Sequence, residues 1–145
     1  MTLDCSPYGL AAAALAAMQS ELALTRAGVP ERMAVYPHAA PAIEFCTMGW
    51  VGFRTVRPDA LIGRGQCGVA SWMVELTLGV ARCFPVMEKN AAPPAVFVDS
   101  AARDVADDFE AMRRAALTLA DLDVVPTFGA WTPLPVQGGG HGPTL

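Results

Sequence analysis

The residues best suited to chemistry in this chain are few, and their spacing decides what each could do. Metal coordination would draw on His38, His141 and four cysteines, Cys5, Cys46, Cys67 and Cys83. A zinc site needs three or four such ligands at workable spacing, commonly as C-x-x-C or H-x-x-x-H pairs. Neither pair occurs, and the cysteines stand 41, 21 and 16 residues apart. The expectation is therefore no metal and reduced thiols in a cytosol, with Cys67 and Cys83 beside the best strand as small apolar fillers and Cys5 exposed.

Nucleophilic catalysis needs Ser or Cys beside an activating histidine. His38 follows Tyr36-Pro37 in a loop and His141 sits in a glycine-rich tail, and nothing in the sequence places either beside a nucleophile. Asp107 and Asp108 read as solvated charge on a helix rather than as an acid/base pair. The run Gln137-Gly138-Gly139-Gly140-His141-Gly142 lacks the G-x-x-x-x-G-K-[ST] pattern and a following helix, so it reads as a turn before a terminal strand, not a phosphate cradle. No catalytic residue and no cofactor is expected, and the chain reads as a non-enzyme.

The uncharged segment Trp131-Thr132-Pro133-Leu134-Pro135-Val136-Gln137 has a different character. Trp131 is either core or part of a surface laid on a neighbouring subunit, because apolar extended arms suit strand addition across interfaces. Trp131, Pro133, Leu134, Gln137, Gly138 and Gly139 are the candidates for such a subunit interface.

The elements that must position these residues follow from local signals. Ser6 is a good N-cap and Pro7 suits the first helical position, while Gly28 and Pro30 close the far end, which predicts a first helix of about twenty residues. Tyr8, Leu15, Met18 and Leu22 form its stripe for docking on a sheet, and Ala11 to Ala17 leave a surface for close packing. Arg32 to Tyr36 reads as a short strand and 43–57 as a longer one, in which Gly49 and Gly52 weaken pairing or mark a bulge. Residues 59–68 read as a loop. Val69 to Phe84 is the clearest strand, with Trp72, Val74, Leu76, Leu78 and Val80 alternating against Met73, Glu75, Thr77, Gly79 and Ala81. Pro85 stops it, 86–98 is a crossing loop, and Asp99 or Ser100 caps a second helix running to about Leu122. That helix buries Val105, Phe109, Met112, Ala116 and Leu119 and turns Asp104, Asp107 and Asp108 outward.

This order predicts an α+β fold: a mainly antiparallel sheet of about four strands flanked by two helices, with a C-terminal extended segment. Residues 1–123 form a single core domain. Residues 124–145 form an uncharged Pro/Gly-rich segment, read as a final strand or an intersubunit arm.

Composition sets outer bounds. In 145 residues the hydrophobic share is 53% and the charged share 17%, with a mean hydropathy of +0.35, which excludes intrinsic disorder. Such a length holds one domain. The uncharged run Cys5 to Ser20 is Ala-rich and flanked by Asp4, so it reads as neither export signal nor anchor. The run Val124 to Leu145 is broken by prolines and Gly138-Gly139-Gly140, which could not be satisfied in lipid as a helix. A soluble protein without membrane attachment is expected. With net charge −4 and scattered basic residues, there is no stripe for phosphate neutralisation, so direct nucleic-acid binding is disfavoured. The low charge points instead to apolar surface covered by partner chains.

The strand end Ala81-Arg82-Cys83-Phe84-Pro85 and the segment Trp131-Thr132-Pro133-Leu134-Pro135-Val136-Gln137-Gly138-Gly139, set in this order of elements, resemble small neck proteins of long-tailed actinobacterial phages, usually described as tail terminators. Gly140 stands where relatives often carry cysteine, and they run on further than Leu145. The resemblance implies a small mixed sheet flanked by helices and a structural virion protein assembled in the bacterial host cytoplasm. It implies a homohexameric ring that ends tail-tube polymerisation and joins the tail to the head connector, touching tail-tube protein and a head-proximal stopper or connector protein. DNA would pass the lumen without specific binding. The alternatives are another neck component, such as a stopper or connector-completion protein, a small ligand-binding domain or enzyme, and a cellular dimeric scaffold.

Overall fold

A computed structural model describes residues 6–43, 46–58, 72–85, 91–122, 127–137 and 140–144. The elements run α1 (Pro7–Leu22), β1 (Arg32–Tyr36), β2 (Met48–Pro58), β3 (Trp72–Cys83), α2 (Ala95–Thr118), a 3-10 turn (Leu119–Leu122), β4 (Thr132–Gln137) and β5 (Gly140–Thr144). The class is α+β.

Helix α1 starts as its sequence dictates: the Ser6 side chain accepts from the Gly9 N–H at 3.0 Å and Pro7 opens the first turn. It ends six residues before Gly28. Thr25 turns its hydroxyl onto the Leu22 carbonyl at 2.7 Å, a local bond that competes with helix continuation. Gly28 then closes the turn with φ +71°, a conformation that favours glycine. Ala11 and Ala14 are buried with Met18 and Leu22, and their small side chains let α1 pack closely on Ala111 and Ala115 of α2. Tyr8, expected on the buried stripe, is instead 62% exposed.

The sheet has five strands in the order β1-β2-β3-β5-β4. It differs from the expected sheet of about four strands in number and in having β1 parallel to β2; the other pairings are antiparallel. A parallel neighbour needs a crossover. The described part of that connection, 37–43 and 46–47, contains no helix, and it passes over the face opposite α1 and α2, where Ile43 joins Met48, Trp50, Ala81, Tyr36 and Leu134. The two glycines of β2 leave room for neighbouring groups, Gly52 for the crossover and Gly49 for β1, and neither is the bulge. A Cβ at Gly52 would run into the carbonyls of His38 and Ala39, and one at Gly49 into the Met33 thioether. Gly79 of β3 likewise leaves room for the Trp50 indole.

The bulge falls at Arg54, between the pairs Phe53–Leu76 and Thr55–Glu75. One extra residue reverses the side on which every later residue of β2 points. Val56 therefore lies opposite Val74 and Pro58 opposite Trp72, on the face that Leu76, Leu78 and Val80 present to the helices. Thr55, Arg57, Met73 and Glu75 share the other face.

Helix α2 begins earlier than its polar caps suggest. Pro94, at φ −55°, supplies the carbonyl that accepts from Phe97 and Val98 without any side-chain cap. This adds an apolar first turn in which Val96 and Phe97 are 67% and 56% exposed. Met112, Ala116 and Leu119 are buried as expected, whereas Val105 and Phe109 are half-buried. The chain from 127 onward returns as a β4–β5 hairpin, with β5 inserted beside β3.

Candidate functional site

Asp108, expected to face solvent, is fully buried. It accepts a two-pronged pair from Arg82, with Nε to Oδ2 and Nη2 to Oδ1 both at 2.8 Å. Arg82 Nη2 also donates to the Gly28 carbonyl at 2.7 Å, and Nη1 approaches the Ala27 carbonyl at 3.5 Å. One guanidinium thus joins β3, α2 and the turn after α1. Burial pushes the Asp108 carboxyl above the usual carboxylate range, opposed by the hydrogen bonds and charge of Arg82 and reinforced by the Asp104 and Asp107 charges. The sequence signal was positional: Arg82 follows Leu78 and Val80 at the spacing of the helix-facing side. An inward arginine needs a buried anion.

Around this node the charged pairs are superficial. Arg26 bridges Asp104 at 2.7 Å and Ser100, Arg114 meets Glu21 at 2.7 Å, and Arg113 meets Glu110 at 2.7 Å. The Arg113 pair holds the Glu110 carboxyl below the ordinary carboxylate range. Such exposed pairs contribute little each.

Cys46 and Cys83 form a disulfide with Cα atoms 4.4 Å apart, which corrects the expectation of reduced thiols for this pair and of Cys83 as a buried filler. The cause is register. Met48 lies opposite Ala81, so two residues further Cys46 comes opposite Cys83, at the close spacing of directly facing antiparallel residues. Cys5 and Cys67 lie outside the described residues. His38 is exposed on the crossover, edge-on to Tyr36 with centroids 6.1 Å apart, and His141 sits in β5 opposite Arg82 in the register. Among the described residues no group of three His, Cys, Asp or Glu side chains could hold a metal ion, and no helix is long and apolar enough to cross a membrane.

The interface candidates separate. Trp131 packs against Phe109 with ring centroids 4.7 Å apart, and its indole N–H is buried without a hydrogen-bond partner among the described residues. Together with Arg113, Leu117, Phe128 and Gly129 these two rings line a groove of about 250 Å³. Leu117 and Phe128 are 43% and 44% exposed. Leu134 points into the cluster on the opposite face of the sheet, and Pro133 is exposed on β4. Gln137 pairs with Gly140 in the β4–β5 ladder, while Gly138 and Gly139 lie outside the described residues. The apolar surface that sequence reasoning missed is the far end of the β2–β3 ribbon, where Val56, Trp72 and Met73 are each more than two-fifths exposed. Its signal was the Val69–Phe84 alternation, longer than two helices placed on one face need to cover.

Comparison with known proteins finds no matching family model, no matching curated protein and no matching solved structure. The class that the geometry defines is an α+β domain whose described residues leave several apolar surfaces uncovered, among them the groove, the ribbon end and the first turn of α2.

Proposed function

We propose that this protein is a structural virion component, a homohexameric ring in the neck of a long-tailed phage that ends tail-tube polymerisation and joins the tail to the head connector. One observation carries the reading beyond the resemblance in residues 81–85 and 131–139. The groove at Phe109 and Trp131 and the ribbon end at Val56 and Trp72 are different apolar patches on one chain. Two unlike patches are what a heterologous, ring-closing interface uses, whereas a two-fold dimer needs one self-complementary patch. The low charged share of 17% fits a subunit whose surface is covered twice. In this reading the chain is not an enzyme, it binds no cofactor, and its partners are tail-tube protein and a head-proximal stopper or connector protein. A net charge of −4 suits a lumen through which DNA passes without sticking.

The test is assembly with purified tube protein. Electron microscopy of the chain is expected to show rings, and adding them to polymerising tube protein is expected to shorten tubes and cap one end. A strictly monomeric chain that neither binds tube ends nor limits tube length overturns the proposal. A ring found one layer nearer the head, without effect on tube length, assigns it to the stopper instead.

A further inference from the structure

The two faces of the sheet are covered unequally. Among the described residues the helix side buries a cluster of eleven, including Met18, Met112, Val51 and Val80. The opposite side buries three, Met48, Trp50 and Ala81, with Tyr36, Ile43 and Leu134 partly buried against them. The crossover supplies much of that thin cover: Ile43 joins the cluster, and the His38 and Ala39 carbonyls lie where a Cβ on Gly52 would stand. Its described residues, 37–43 and 46–47, form neither helix nor strand, although the Arg32 N–H reaches the Thr47 carbonyl at 3.4 Å. A segment with few buried apolar contacts and no regular backbone ladder opens at lower free energy than the core.

The Cys46–Cys83 bridge stands where this layer meets the sheet. The β2–β3 pairing ends at Met48 and Ala81, and the bridge ties the next position on the same side of β3 to the end of the crossover. Alternation puts Cys83 with Ala81 on the crossover side, since Leu78, Val80 and Arg82 face the helices. On its other flank Cys83 pairs with Gly140 of β5, so its backbone stays in the sheet whether or not the bridge is closed. Cys46 has no such anchor and precedes the first residue of β2. Cys83 is exposed and Cys46 half-buried. An exposed disulfide is open to exchange with dissolved thiols, in contrast to one sealed in a core.

We infer that the Cys46–Cys83 bridge is a redox-operated latch: closed, it pins the crossover over Met48 and Trp50; open, it lets the crossover lift while the helix-side core stays shut. Opening is thiol–disulfide exchange with a dithiol. Its thiolate attacks the Cys83 sulfur, the Cys46–Cys83 bond breaks, and Cys46 leaves as a thiolate that takes up a proton. The second thiol of the reductant then attacks the mixed disulfide and releases Cys83, so the protein gains two electrons and two protons and the dithiol becomes a disulfide. Closing is the reverse, with oxidised glutathione as a sufficient oxidant. A reducing cytosol holds the latch open and an oxidising medium closes it. The inference goes beyond the ring reading and does not depend on it.

The experiment is hydroxyl-radical footprinting of the full chain, read peptide by peptide by mass spectrometry. Three samples are compared: wild type treated with oxidised glutathione, wild type reduced with dithiothreitol and desalted without oxygen, and the double variant Cys46→Ser with Cys83→Ser. Met48 and Trp50, each 1% exposed in the closed form, are expected to label at least about threefold faster in the second and third samples. Met18 and Met112, each 0% exposed on the helix side, are expected to keep the labelling rate of the closed chain. Reoxidation should restore protection in wild type and leave the double variant unchanged. Equal labelling of Met48 and Trp50 in all three samples overturns the latch. A parallel rise at Met18 and Met112 overturns it too, because the bridge would then hold the whole domain and not the crossover. So does peptide mapping that finds residues 46 and 83 unlinked after treatment with oxidised glutathione. None of these outcomes bears on whether the chain forms rings.

Discussion

Replacing Asp108 by Ala would remove a fully buried carboxylate from a guanidinium that is itself only 7% exposed. Arg82 would keep the Gly28 carbonyl at 2.7 Å and a long approach to Ala27 at 3.5 Å, and would lose both 2.8 Å bonds to the carboxylate. Stripping one partner from a buried pair costs about 3–5 kcal/mol, because the remaining charge stays desolvated. A domain of this size is stable by about 5–15 kcal/mol, and each kcal/mol moves its melting point by roughly 2–4 °C. Asp108→Ala is therefore expected to melt roughly 6–20 °C below wild type, and Arg82→Met to fall in the same range. The double variant Arg82→Met with Asp108→Leu removes the charges together with their desolvation, and is expected within about 2 kcal/mol of wild type or above it. The assay is urea and thermal unfolding followed by far-ultraviolet circular dichroism. One fixed redox condition is needed, since the Cys46–Cys83 bridge would otherwise vary between samples. Single variants that each cost under about 1 kcal/mol, or a double variant as weak as both losses added, would refute the argument that this node joins β3, α2 and the α1–β1 turn.

Two further outcomes follow from the same region. Burial holds the folded-state pKa of Asp108 above its unfolded value, so the stability this carboxyl contributes is present at low pH and falls as pH rises through that interval. The melting-point gap between wild type and Asp108→Asn should thus widen from about pH 7 to about pH 4, and a narrowing gap would reverse the sign assigned here. The Cys46–Cys83 bridge closes a 37-residue separation, for which chain entropy gives about 3–4 kcal/mol. Adding reductant, or making Cys46→Ser, should lower the urea midpoint accordingly, and an unchanged midpoint would show that the β2–β3 pairing already restrains the unfolded chain or that the bridge is absent in solution.

The parts of the fold that were legible in the sequence are those set by neighbours in the chain. Ser6-Pro7 announces a helix start, Pro85 announces a strand end, and the alternation from Trp72 to Val80 names the sheet face that meets the helices. What the sequence did not disclose depends on pairing at a distance. The parallel β1–β2 contact is invisible because the described residues of the crossover, 37–43 and 46–47, form no helix to announce it. Asp108 looks solvated within the acidic stretch from Asp104, and only Arg82, 26 residues away, explains why it can be buried. The disulfide needs a strand register that residue spacing cannot supply. Phe128 becomes part of a groove because residues 127–131 fold back over Phe109, a contact with no local signature.

The low charged share says how much surface lacks charge, and sequence reading placed that surface in the Ala-rich first helix and the tail. The folded chain places it elsewhere. The small side chains of α1 are consumed in packing against α2, and the tail is drawn into the sheet as β4 and β5. Pro133 and Pro135 on β4, the edge strand, lack the N–H donors that strand addition would use. Among the described residues, uncovered apolar groups lie on the ribbon end, the first turn of α2 and the rim of the groove, and also at Tyr8, Leu24 and Val29 in and after α1. A single extra residue, Arg54, puts the ribbon's apolar side chains on one face. Without the bulge, Thr55 and Arg57 would occupy that face and Val56 would lie among Met73 and Glu75 on the other. A sequence indifferent to what covers the ribbon has no need to keep its faces sorted beyond the edge of its own core, and the sorting is therefore itself an argument that a second surface packs there.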